Sequence, residues 1–168
     1  MGGEELIKTD ACGVVDLLKR GEVTPHDLLD ALEARIATVD PAVNALPTLC
    51  FARARVHADR LLAKPLAERG PLAGLPVPIK DLTDVAGVRT TYGSPIFKDH
   101  VPARSDLLVE HLETQGAIVY AKSNTPEFGA GANTFNEVFG ATRNPWNIAR
   151  SARSCARCML AAASAAQP

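Results

Sequence analysis

The chain has 168 residues, with 18 Lys and Arg against 19 Asp and Glu and a formal net charge of −1. That length suits one ordinary domain, the balanced charge excludes a basic field for nucleic acid, and 46% hydrophobic against 22% charged residues excludes wholesale disorder. No apolar run reaches the roughly 18 residues of a membrane span, and Met1-Gly2-Gly3-Glu4-Glu5 opens without a secretory pattern; the expectation is a soluble, cytoplasmic protein with no membrane or nucleic-acid partner.

The N-terminal part, residues 1–66, reads as helices. Asp10 is a candidate N-cap for a segment running to Arg20, with Val14, Val15, Leu17 and Leu18 apolar and Gly21 as its stop. Thr24-Pro25 is a stronger start: a capping hydroxyl, proline at the first helical position and Asp27 in the first turn. Leu28, Leu29, Leu32 and Ile36 then recur at helical spacing, and Asp40-Pro41 predicts the end. A third helix is expected over Phe51 to Ala63.

At Gly70 the texture changes. Gly70-Pro71-Leu72-Ala73-Gly74 is a turn cluster. The apolar segment Leu75-Pro76-Val77-Pro78-Ile79 ends at Lys80-Asp81, and its two prolines predict an edge or irregular strand. Ser105 or Asp106 caps a helix that Gly116 closes, and Ala117-Ile118-Val119-Tyr120 predicts a short buried strand. Helix, glycine and buried strand in that order define an α/β core beginning near residue 67. Residues 123–147 are dense in Asn, Thr, Gly and Pro, and Phe128, Phe135, Phe139 and Trp146 predict that this long loop is ordered. From Ala149 onward the chain holds eight alanines and three arginines with no acid, and all 12 glycines lie at or before Gly140; a frayed helical or disordered tail is expected over 149–168.

Few residues point to chemistry unaided. Lys80 closes an apolar segment, and a buried lysine that loses its charge is a base; a salt bridge to Asp81 or Asp84 is the structural alternative. Of the four cysteines, Cys155 and Cys158 form one C-x-x-C, which lacks a second ligand pair for zinc and a preceding strand for a redox site. A thiol protein remains an alternative reading. The four histidines show no triad arrangement, and neither a P-loop nor G-x-G-x-x-G is present. No cofactor and no metal is expected.

The linear motifs say more. Gly70-Pro71-Leu72-Ala73-Gly74-Leu75-Pro76-Val77-Pro78-Ile79-Lys80-Asp81 resembles the segment that holds the catalytic lysine of the amidase signature family. The resemblance continues through Thr90-Thr91-Tyr92-Gly93-Ser94, Ala121-Lys122-Ser123-Asn124-Thr125-Pro126-Glu127-Phe128-Gly129 and Gly140-Ala141-Thr142-Arg143-Asn144-Pro145-Trp146-Asn147, covering roughly residues 5–150. It implies N-terminal helices followed by the first part of a mixed-sheet core flanked by helices. It also implies hydrolysis of carboxylic amide C–N bonds through a Ser–cis-Ser–Lys triad. In that scheme Lys80, held neutral, takes a proton from a relay serine, which relays it from a nucleophilic serine; water then opens the acyl-enzyme. An amidotransferase subunit feeding ammonia to a misacylated tRNA is the other reading the resemblance allows.

The pattern then departs. Where the family carries a Gly-Gly-Ser-Ser-Gly-Gly-Ser-like run, this chain has Ala152-Arg153-Ser154-Cys155-Ala156-Arg157-Cys158. The resemblance places Ser154 at the relay position. Each change of Gly to Ala, Gly to Arg and Ser to Cys needs one G/C exchange in a codon, as sequence errors or gene decay would produce. The family's nucleophile stands roughly two dozen residues further on, beside glycine-rich oxyanion donors, and Ser164 has neither that spacing nor that context. The chain is therefore expected to be an N-terminal portion without its own nucleophile, inactive as given. Unpaired sheet edges are expected to drive oligomerisation or aggregation.

Overall fold

The computed structural model describes residues 3–152. Two short helices open it, α1 (Gly3–Lys8) and α2 (Ala11–Arg20). Asp10 caps α2 by accepting from Gly13 N at 2.8 Å, and Gly21 ends it in the left-handed region. The long helix α3 (Pro25–Val43) starts in a capping box: the Thr24 hydroxyl accepts from Asp27 N, and the Asp27 carboxylate accepts from Thr24 N at 2.8 Å. This helix runs through Pro41 rather than stopping before it. The Asp40 carboxylate accepts from Ala45 N and Leu46 N, so the backbone beyond the proline keeps its partners, and Asn44 closes the helix at φ 55°. The stop predicted at Asp40-Pro41 is thus displaced by a side-chain cap.

Strand β1 (Thr48–Leu49) leads into α4 (Phe51–Leu62), and β2 (Pro76–Lys80), α5 (Leu107–Thr114) and β3 (Ile118–Ser123) follow. The sheet order is β1-β3-β2, with β3 antiparallel to β1 and parallel to β2. Among the described residues β2 is an edge, where its prolines cost no interior ladder bond. One face of the sheet packs Ile118, Tyr120 and Ala121 against Leu29 and Ile36 of α3 and Phe51, Ala54 and Ala58 of α4. The other packs Ile79 and Val119 with Val85, Val88 and Val109. A third cluster joins Leu6, Val14, Leu17 and Leu18 to Leu28 and Ala73. This is an α/β architecture whose central strand β3 is buried along its whole length.

The turn after α5 fixes how helix and sheet meet. Gly116 has φ +89°, and a Cβ there would stand 2.0 Å from the carbonyl oxygen of Arg69. Both the backbone region and the contact exclude a side chain. Gly116→Ala is expected to cost about 3 kcal/mol or more, read as a lower urea midpoint at unchanged slope.

The long loop is ordered: Phe128 packs edge-on against Phe97 and Phe139 lies under Arg89, and buried polar groups add to these contacts. It contains two hairpins, β4 (Phe135–Asn136) with β5 (Gly140–Ala141) and β6 (Arg143–Asn144) with β7 (Asn147–Ser151). Phe128, Phe135 and Trp146 are more than half exposed, whereas Asn124, Thr125, Thr134, Asn136 and Thr142 are buried and bonded to one another or to backbone. Satisfied polar groups hold the loop. Because β7 includes residues 149–151, the expected tail begins later than position 149. No helix among the described residues is long and apolar enough to cross a membrane.

Candidate active site

Lys80 is the last residue of β2 and stands opposite Ser123, the last of β3. It is half-buried, and among the described residues its ammonium has no hydrogen bond or ion pair. The salt bridge to Asp81 or Asp84 considered from the sequence is not formed. Asp81 is fully buried; its carboxylate accepts from Thr91 N and the Thr91 hydroxyl, the latter at 2.5 Å. Asp84 accepts instead from the Tyr92 hydroxyl at 2.6 Å. Burial, with that bond to Asp84 as the second cause, pushes the Tyr92 phenol up to about 12.

The charge that Asp81 faces belongs to Lys122, a residue the sequence reading passed over. Lys122 is fully buried; its Nζ donates to the Thr83 carbonyl at 2.6 Å and to Thr90 Oγ1 at 2.7 Å, and lies 3.6 Å from Asp81 Oδ1. Burial pushes its amine down from 10.5 to about 8, against the pull of Asp81 and Asp84 in the other direction. Two lysines thus lie at the ends of two adjacent parallel strands, Lys80 with no ammonium partner among the described residues and Lys122 locked in the interior. The sequence signal for Lys122 is the apolar run Ala117–Tyr120 just before it, the same kind of signal that singled out Lys80.

Strand β3 also organises the approach to the last described residues. Asn124, directly after Ser123, donates to Thr142 Oγ1 at 3.0 Å, and Asn124 Oδ1 accepts from Asn136 Nδ2 at 2.7 Å. Thr142 in turn donates to the Asn44 carbonyl at 2.7 Å. Backbone bonds from Ala152 N to Thr142 O and from Thr134 N to Ala152 O fix the chain two residues before position 154. Ser154, Cys155 and Cys158 lie outside the described residues.

The remaining candidates resolve into packing. His26 pairs with Asp59 at 2.8 Å, and His57 lies 3.6 Å from Glu113, which also accepts from Arg53 at 2.7 Å. Cys12 and Cys50 are unbridged, and burial pushes the Cys50 thiol up to about 11, away from a reactive thiolate. Among the described residues no group of three His, Cys, Asp or Glu side chains is placed to hold a metal ion.

The three-stranded mixed sheet, the helices on it and the lysine at the end of β2 define the first part of an α/β core of the amidase kind. The Amidase family matches residues 27–153, and the chain belongs to that family. A glutamyl-tRNA(Gln) amidotransferase subunit from Roseiflexus sp. (strain RS-1) is 42% identical over 136 residues, covering 80% of this chain and 28% of that protein. Its counterpart from Prochlorococcus marinus (strain MIT 9303) is 42% identical over 135 residues, covering 79% and 28%. Among solved structures, 6-aminohexanoate cyclic dimer hydrolase bound to its substrate superposes with a TM-score of 0.83 at 31% identity, over 95% of this chain and 32% of that one. A bacterial aryl acylamidase of the amidase signature enzymes superposes at 0.78 with 27% identity, over 86% and 31%. The chain therefore spans under a third of the length of these relatives.

Proposed function

We propose that this chain supplies the base-bearing N-terminal portion of an amide hydrolase, with the Lys80 amine as base and Ser154 as its relay. The observation that carries the reading is a short set of links. Lys80 stands opposite Ser123; Asn124 next to it bonds Thr142; Thr142 bonds Ala152; and the chain then reaches Ser154. An amine at a strand end with no partner among the described residues, beside the segment that leads to a serine, suits proton transfer to and from hydroxyls. The substrate is a carboxylic amide, cleaved to an acid and ammonia or an amine without a cofactor. The nucleophilic serine and oxyanion donors belong to the part of the domain that follows in the longer relatives.

The relatives include amidotransferase subunits at 42% identity and a cyclic dimer hydrolase at 31%, so glutamine stands beside other carboxylic amides as a substrate to test. Sequencing the DNA past codon 168 in all three frames is expected to reveal a Gly/Ser-rich amidase-like continuation. The restored domain, assayed on glutamine and on aliphatic and aryl amides, is expected to release ammonia or amine. Absence of any such continuation, or turnover that survives Lys80→Ala, would overturn the reading.

A further inference from the structure

We propose that Lys122 is a positioning residue for Lys80: from the opposite face of the sheet its ammonium clamps the turn that follows Lys80 and so sets where the Lys80 amine points. The inference rests on the reading of Lys80 as base. Its grounds are geometric. The Lys80 carbonyl accepts from Thr83 N at 3.0 Å, closing a tight turn over residues 80–83. The outward carbonyl of that turn, Thr83 O, accepts from Lys122 Nζ at 2.6 Å. Asp81, inside the turn, is tied through its N–H to Ser123 O at 2.9 Å and through its carboxylate to Thr91 and Lys122.

The Thr83 carbonyl and the Asp81 carboxylate of this turn thus both engage Lys122, and the two threonines beside them, Thr90 and Thr91, bond Lys122 and Asp81 in turn. A methionine of similar length would fill the same space without the cost of burying a charge, so packing alone does not account for an ammonium here. The charged and titratable groups around it are Asp81 and Asp84, and Cys50 from the N-terminal edge of α4. Burial pushes the Cys50 thiol up to about 11, so it keeps its proton near pH 8, where the Lys122 amine changes charge. Loss of its proton leaves two N–H donors for Thr83 O and Thr90 Oγ1 but removes the positive charge that Asp81 faces, which weakens the clamp.

The test follows the side-chain Cε resonances of the lysines by NMR in the full 168-residue chain, with Lys80 assigned through Lys80→Arg. The Lys80 resonance is expected to show an inflection near pH 8 that follows Lys122. The inflection should vanish in Lys122→Met and move to lower pH in Asp81→Asn, which strips the ammonium of its counter-charge. A purely structural role would not transmit a proton's loss to Lys80. A single-step titration of Lys80 in the unsubstituted chain overturns the proposal, whether or not Lys122→Met folds, as does an inflection that persists in that variant. Failure of the base assignment would appear elsewhere, as turnover surviving Lys80→Ala in the restored domain with the inflection intact.

Discussion

The 168-residue polypeptide, expressed as such, is expected to hydrolyse neither aliphatic nor aryl amides above the uncatalysed rate. A base speeds acyl transfer only when a hydroxyl stands within hydrogen-bond reach and donors await the developing oxyanion. Lys80 meets the first requirement only if a serine is brought to it. In this chain Ser154, the serine proposed as relay, lies in Arg153-Ser154-Cys155-Ala156-Arg157, a stretch without the glycines that favour tight turns. Removing one oxyanion donor typically costs about 10²–10³ in rate, so loss of the donors together with the nucleophile leaves nothing measurable. Turnover abolished by both Lys80→Ala and Ser154→Ala in this polypeptide would reveal a working two-residue Ser/Lys site and defeat the expectation. In the restored domain the same chemistry predicts a loss of about 10³-fold or more in kcat for Lys80→Ala, because general base and nucleophile activation fail together.

The second large effect is on stability, and its sign is unusual. The Lys122 amine sits near 8 in the folded protein against 10.5 in the open chain. Between those values the unfolded chain binds more protons, so stability rises with pH across that window and is level below it. The rise amounts to roughly 1 kcal/mol between pH 7 and 9 and approaches about 3 kcal/mol once the window is crossed. Cys50 acts against it above pH 9: a thiol raised to about 11 stays protonated in the folded state while the unfolded chain loses its proton. The experiment is urea denaturation from pH 7 to 10 in a Cys50→Ala background. A climbing unfolding free energy there, flattened by Lys122→Met, is the expected result; a decline from pH 7 to 9 would place the Lys122 charge outside the buried site. Below pH 8 the same variant is expected to lose about 3 kcal/mol, because Thr83 O and Thr90 Oγ1 lose their donor and Asp81 its counter-charge.

Apolar side chains remain open to solvent over much of the surface. Ile96, Leu107 and Trp146 are each at least two-thirds exposed, and β2 is unpaired on its outer side among the described residues. In relatives about three times as long, further chain is available to cover such surfaces.

Local chemistry made much of the fold legible. Asp10 and Thr24-Pro25 started helices where they were expected, because a cap needs only residues within one turn of it. Asp106 and Gly116 bracketed α5 for the same reason. The prolines of residues 76–78 marked an edge strand, because a missing N–H cannot serve two neighbours. Pro41 misled, since the carboxylate that lets the helix continue past it is recognisable only once Ala45 and Leu46 have come round to it. The loop is ordered as its aromatics led one to expect, but hydrophobicity alone does not reveal the buried asparagines and threonines that also hold it.

The family and the order of the elements were determined by the sequence itself. Which lysine faces which way was decided only by tertiary structure. Simple alternation along β3 would put Lys122 on the face of Ile118 and Tyr120, against α3 and α4. The register instead shifts between Val77 and Pro78, where Val119 and Ala121 pair with consecutive residues of β2. A bulge of this kind spends one extra residue and reverses the facing of all that follows. Lys122 therefore joins Ile79 and the buried Asp81, while Ser123 and Lys80 share the opposite face. That shift depends on the pairing of segments about forty residues apart, an interaction that no local pattern in either strand encodes.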